Sequence, residues 1–126
     1  MSNFKKLNKQ DKIFIAGGSG MVGSAIKRAL VKSNYGNKEL NGKIYCPTRK
    51  ELNLLNFQDV KNWFNKFKPD IVILAAAKVG GIYANKNKPY DFILENLKIQ
   101  NNIIENSWTN CVKRLLFLGS SCIYPK

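Results

Sequence analysis

The chain contains no histidine, and its three cysteines are an odd number without Cys-x-x-Cys spacing. Both features argue against a disulfide scaffold and against a zinc site, so no metal is expected. No apolar run approaches the roughly 18 residues that a membrane helix needs, and no membrane partner is expected. The first twelve residues are polar and lysine-rich with no apolar centre, unlike a secretory signal. A cytoplasmic location is the expectation. Acidic residues are scarce, 8 against 21 lysines and arginines, for a net charge of +13. Arginine occurs only at Arg28, Arg49 and Arg114, and the lysines are scattered rather than clustered with aromatics. That distribution describes a solvated surface better than a nucleic-acid interface, so no nucleic-acid partner is expected.

What is present is a chain of 126 residues with a 44% hydrophobic fraction, enough for one small domain or a piece of a larger one. Short apolar runs alternate with segments of helical period. Residues 13–16, 43–46, 71–75 and 114–118 read as strands, and 21–33, 57–67 and 89–110 as helices. Asn56 is placed to cap the second helix, with Val60, Phe64 and Phe67 on its inner face. Pro89 suits the first turn of the third, which carries Ile93, Leu97, Ile104 and Trp108 in one stripe. The first, third and fourth runs are continuously apolar, as strands covered on both faces of a parallel sheet are. The fold class expected is α/β, a Rossmann-like parallel sheet with helices on both faces and its first four strands in the order 3-2-1-4. Trp63 and Trp108 are expected in packing roles, and Cys46 and Cys111 as structural thiols.

Between the first strand and first helix lies Gly17-Gly18-Ser19-Gly20-Met21-Val22-Gly23. Glycines at 17, 20 and 23 permit a sharp turn, a close backbone approach to a pyrophosphate, and tight helix–strand packing. The helix that follows offers free N–H groups and a partial positive charge to phosphates. A dinucleotide is therefore the expected cofactor. An NAD site would place an acid at the end of the second strand; this chain has Arg49, whose guanidinium suits a ribose 2′-phosphate. NADP(H) is expected. At the end of the fourth strand, Gly119, Ser120, Ser121 and Cys122 place hydroxyls and a thiol where a parallel strand opens onto a ligand crevice.

Three strings, Gly-Met-Val-Gly-Ser-Ala-Ile (20–26), Ala-Ala-Ala-Lys-Val-Gly-Gly-Ile (75–82) and Phe-Leu-Gly-Ser-Ser-Cys-Ile-Tyr-Pro-Lys (117–126), occur in that order. Together with Thr-Arg-x-Glu-Leu-Asn-Leu (48–54), Asn85 and Pro89-x-Asp-Phe-Ile, they resemble the GDP-L-fucose synthase family of extended short-chain dehydrogenase/reductases. The resemblance implies an NADPH-dependent epimerisation and reduction of GDP-4-keto-6-deoxy-D-mannose to GDP-L-fucose, with a GDP-sugar as substrate and a homodimer as the full-length state. It implies that Arg49, Lys50, Glu51, Leu52, Asn53 and Leu54 line the adenosine end, and that Leu118, Gly119, Ser120 and Ser121 border the nicotinamide ribose. By the same resemblance Ser120 is the catalytic serine that bonds the keto oxygen, and Cys122 the thiol that moves protons beside it. The family's tyrosine, lysine and histidine match no position here, since Tyr124 has no lysine four places on. The expectation is thus residues 1–126 as an N-terminal NADP-binding portion, inactive alone, without the later strands and substrate domain. The alternatives are another sugar-nucleotide epimerase or dehydratase, or a non-catalytic dinucleotide-binding module.

Overall fold

The computed structural model describes residues 6–80 and 86–119. It holds β1 (Lys12–Ala16), α1 (Met21–Lys32), β2 (Lys43–Tyr45), α2 (Phe57–Phe67), β3 (Ile71–Leu74), α3 (Pro89–Thr109) and β4 (Arg114–Phe117). All strand pairs are parallel, and helices cover both faces of the sheet. Because strand side chains alternate, β1 and β3 feed two cores. Ile13, Ile15, Ile71 and Ile73 meet Ile26 and Leu30 of α1 on one face. Phe14, Ala16, Val72 and Leu74 meet Val60, Phe64, Ile99 and Ile103 of α2 and α3 on the other.

The fold class is the expected one, with element ends within a residue or so of the sequence reading. The strand order is a correction: it is β2-β1-β3-β4, so β3 lies beside β1 and not beyond β2. Burial explains the choice. The four residues of β3 are all buried and need cover on both faces and partners on both edges. β2 has three residues and one exposed position, and among the described residues it pairs with β1 alone. A short, lysine-bearing strand suits an edge, and a wholly apolar one suits the centre. β4 pairs with β3 and keeps Leu115, Leu116 and Phe117 exposed.

The helices begin and end for local reasons. The Asn56 side chain accepts the Asp59 N–H at 3.1 Å and starts α2, which stops at Lys68 in the left-handed region (φ 44°). Trp63 is buried against Phe14, Phe64 and Phe67, as the packing role required. In α3 the stripe of Ile93, Leu97, Ile104 and Trp108 is exposed, and the buried face is Ile99, Asn102, Ile103, Asn106 and Ser107.

At the amino ends of the strands one charge cluster ties the sheet together. Lys113 donates to the wholly buried Asp11 at 2.5 Å and lies 3.5 Å from Asp70. Asp70 accepts the Lys12 N–H through its side chain, and Asp11 the Asn8 N–H. The hydrogen bond to Asp11 is the main cause holding the Lys113 ammonium above the ordinary lysine range. A raised lysine pKa stabilises the fold fully below the unfolded value and loses that contribution as pH climbs through the folded one. Lys113→Met should therefore cost about 3 kcal/mol at neutral pH, since it strands a buried carboxylate, and should flatten the alkaline fall in stability. Urea denaturation across pH checks both, and an unchanged midpoint at neutral pH would refute the pairing.

Candidate dinucleotide site

The chain passes from β1 to β2 on one side and from β2 back across to β3 on the other, so a crevice opens at the carboxyl ends of β1 and β3. The glycine loop fills the turn out of β1. Gly17 takes φ +85°, and a Cβ there would lie 2.7 Å from the Ala76 nitrogen and 2.9 Å from the Ala75 carbonyl carbon. Only glycine lets the β1 turn lie directly against the end of β3. Gly23 is tighter still, since its Cβ would sit 2.1 Å from the Gly17 oxygen. At Gly20 the one neighbour within reach is the Gly17 oxygen, at 3.3 Å. Gly20 also caps α1 without any side-chain hydrogen bond, and the first turn holds no acid. The N–H groups of that turn stay available for an anion.

A cavity of about 500 Å³ occupies the crevice, within the roughly 300–1,000 Å³ typical of ligand sites. Its floor is Phe14, Ala16, Gly17, Ser19 and Gly20. One wall is Pro47, Arg49 and the stretch from Leu52 to Leu55. Arg49 stands exposed on a turn that Glu51 holds shut: its carboxylate accepts the Thr48 N–H at 2.7 Å and the Thr48 hydroxyl at 2.9 Å. Those two bonds, the backbone one foremost, keep the Glu51 carboxyl below its ordinary range. The opposite wall is Ala75, Ala76, Ala77 and Lys78, whose ammonium pairs with Glu95 at 2.6 Å. Small side chains there keep the crevice open.

The expected site residues fall into three groups. Gly17, Ser19, Gly20, Arg49, Leu52, Asn53 and Leu54 line the cavity. Gly18, Met21, Val22, Gly23, Lys50, Glu51, Leu118 and Gly119 are not among its lining residues. Of these, Gly18 is packed on Cys46, Gly23 on Gly17, and Met21 is 86% exposed. Glu51 faces instead a more open cavity of about 590 Å³ beside Tyr45, Trp63 and Phe67. That larger space has no glycine loop and no arginine, so its size carries no functional weight. Ser120, Ser121 and Cys122 lie outside the described residues. Burial pushes the Cys46 thiol up despite the nearby Lys27, consistent with a structural role. The sequence reading missed Lys78, Glu95 and Asn96 as a group. Their contacts join residues 17 apart or more, and only the polar inner face of α3 hinted at them.

A model of the NAD dependent epimerase/dehydratase family matches residues 13–126. The chain is 52% identical over 119 residues to GDP-L-fucose synthase 1 of Arabidopsis thaliana, covering 94% of this chain and 35% of that protein. It is 52% identical over 120 residues to GDP-L-fucose synthase of Escherichia coli K12, covering 95% of this chain and 35% of that protein. Among solved structures, the GDP-mannoheptose C4 reductase of Campylobacter jejuni with NADP bound superposes with a TM-score of 0.85 at 42% identity, covering 95% of this chain and 36% of that one. The chain thus spans about a third of the length of the curated relatives it matches.

Proposed function

Because the chain belongs to the NAD dependent epimerase/dehydratase family, we propose that residues 1–126 form the N-terminal NADP-binding portion of a GDP-L-fucose synthase, which epimerises and reduces GDP-4-keto-6-deoxy-D-mannose. The observation that carries this reading is the cavity at the β1–β3 crevice, floored by a glycine loop and walled by Arg49 where an NAD site would hold an acid. The identity to two GDP-L-fucose synthases over nearly the whole chain supports the substrate.

The cofactor fits the residues present. The space a Cβ would need at Gly17 is already taken by backbone, while Gly20 leaves room above α1 for the pyrophosphate. Arg49 would hold the 2′-phosphate through charge-assisted hydrogen bonds. When bound, the reduced dinucleotide supplies the hydride. Ser120 donates a hydrogen bond to the sugar keto oxygen and holds the negative charge that develops there. Cys122 moves protons at the carbons beside the ketone. Gly119 and Ser121, with Leu118, border the nicotinamide ribose. The exposed stripe of α3, Ile93, Leu97, Ile104 and Trp108, is the face for a second copy.

In the full-length enzyme, Ser120→Ala should slow reduction and epimerisation together, by about 10²–10³-fold in kcat. Cys122→Ser should chiefly slow epimerisation. Solvent-deuterium incorporation, followed by mass spectrometry, separates the steps; undiminished incorporation in Cys122→Ser removes the thiol from the mechanism. A second reading, reduction of a GDP-keto-heptose, is favoured by the likeness to the heptose reductase. Turnover of the heptose with none of the deoxyhexose would select it.

A further inference from the structure

Resting on the dinucleotide reading above, we infer that Asn96 and Asn102 are positioning residues through which α3 sets the separation of the two cavity walls. Asn102 is buried, and its side-chain N–H donates to the Leu54 carbonyl at 2.8 Å across 48 residues of sequence. Leu54 belongs to the wall that follows β2. Two turns earlier on the helix, Asn96 makes a reciprocal pair with the opposite wall. It accepts the Lys78 N–H at 2.6 Å and donates to the Lys78 carbonyl at 3.0 Å. Glu95 holds the same residue by its ammonium. Both loops are otherwise irregular backbone, and each is fixed to the same helix by a side chain that can both donate and accept.

The helix itself is fixed to the sheet by Ile99 and Ile103, which lie between and beside the two asparagines and are buried with Val72 and Leu74. A polar residue on this inner face is costly unless it is bonded. Among the described residues, Asn102 and Asn96 meet that condition by reaching the cavity loops. On the dinucleotide reading, the wall after β2, which carries Arg49, would take the adenosine half and the wall after β3 the other half. The two asparagines therefore govern different halves of one ligand.

The test uses the intact protein, NADPH, and adenosine 2′,5′-bisphosphate as a probe of the β2 side alone, with affinities read by calorimetry. Asn102→Leu should weaken both ligands about tenfold, because the Leu54 carbonyl loses its donor and the wall shifts. Asn96→Leu should weaken NADPH about tenfold and leave the bisphosphate unchanged. Asn102→Ser serves where the leucine variant fails to fold by circular dichroism. Folded variants that bind both ligands as wild type does would overturn the inference, as would two variants that lose both ligands in the same ratio. Wild-type protein that binds neither ligand would instead sink the dinucleotide reading itself.

Discussion

Arg49→Ala should weaken NADPH binding by about one to two orders of magnitude and leave NADH binding unchanged. The loss corresponds to a charge-assisted hydrogen-bonded contact of about 1.5–3 kcal/mol. Arg49 is suited to deliver it because its side chain lines the cavity while its backbone sits in a turn closed by Glu51. The Glu51 carboxylate, engaged by Thr48, is not free to quench the guanidinium from within the turn. Arg49→Lys keeps the charge but loses the fork, and should fall between. Calorimetry with both cofactors decides it; equal losses for NADPH and NADH would mean that Arg49 does not read the phosphate.

Gly23→Ala should be more damaging than any other single methyl group added in the loop. The new Cβ would lie 2.1 Å from the Gly17 oxygen, 2.8 Å from the Gly17 carbonyl carbon and 2.8 Å from the Gly18 Cα. All three are backbone atoms, so no side chain can swing aside. Either α1 withdraws from β1 or the turn at Gly17 opens, and the second breaks its seat on Ala75 and Ala76. Overpacking of this kind costs about 3 kcal/mol or more. NADPH affinity should collapse along with thermal stability. Gly20→Ala, with one neighbour at 3.3 Å, should be far milder for the fold and felt in cofactor binding instead. Equal stability of the two variants would contradict this account of the loop.

Much of this was legible before any coordinates, for identifiable reasons. β1 and β3 stood out because both faces are covered, so Ile13 to Ala16 and Ile71 to Leu74 read as unbroken apolar runs. The α2 face was legible because Val60 and Phe64 recur at helical spacing and Asn56 caps the start. Arg49 and the three loop glycines were legible because turn and charge chemistry are local. The strand order was not. Whether β3 settles beside β2 or β1 depends on which edge tolerates exposure, and β2 is too short and too polar to sit inside. The inner face of α3 was hidden for the opposite reason. Its inner asparagines, Asn102 buried and Asn96 partly so, look like surface residues until Leu54 and Lys78, distant in sequence, are brought to them. The exposed stripe of Ile93, Leu97, Ile104 and Trp108 showed the reverse, being apolar without being core.

The most direct test of the central claim is a crystal structure of the protein grown with NADPH. The account predicts the 2′-phosphate on Arg49, the pyrophosphate over Gly17 and Gly20 at the start of α1, and the nicotinamide half passing Ala75, Ala76 and Ala77 towards Leu118. A dinucleotide bound instead between β2 and α2, beside Tyr45 and Trp63, or with its 2′-phosphate away from Arg49, would contradict it.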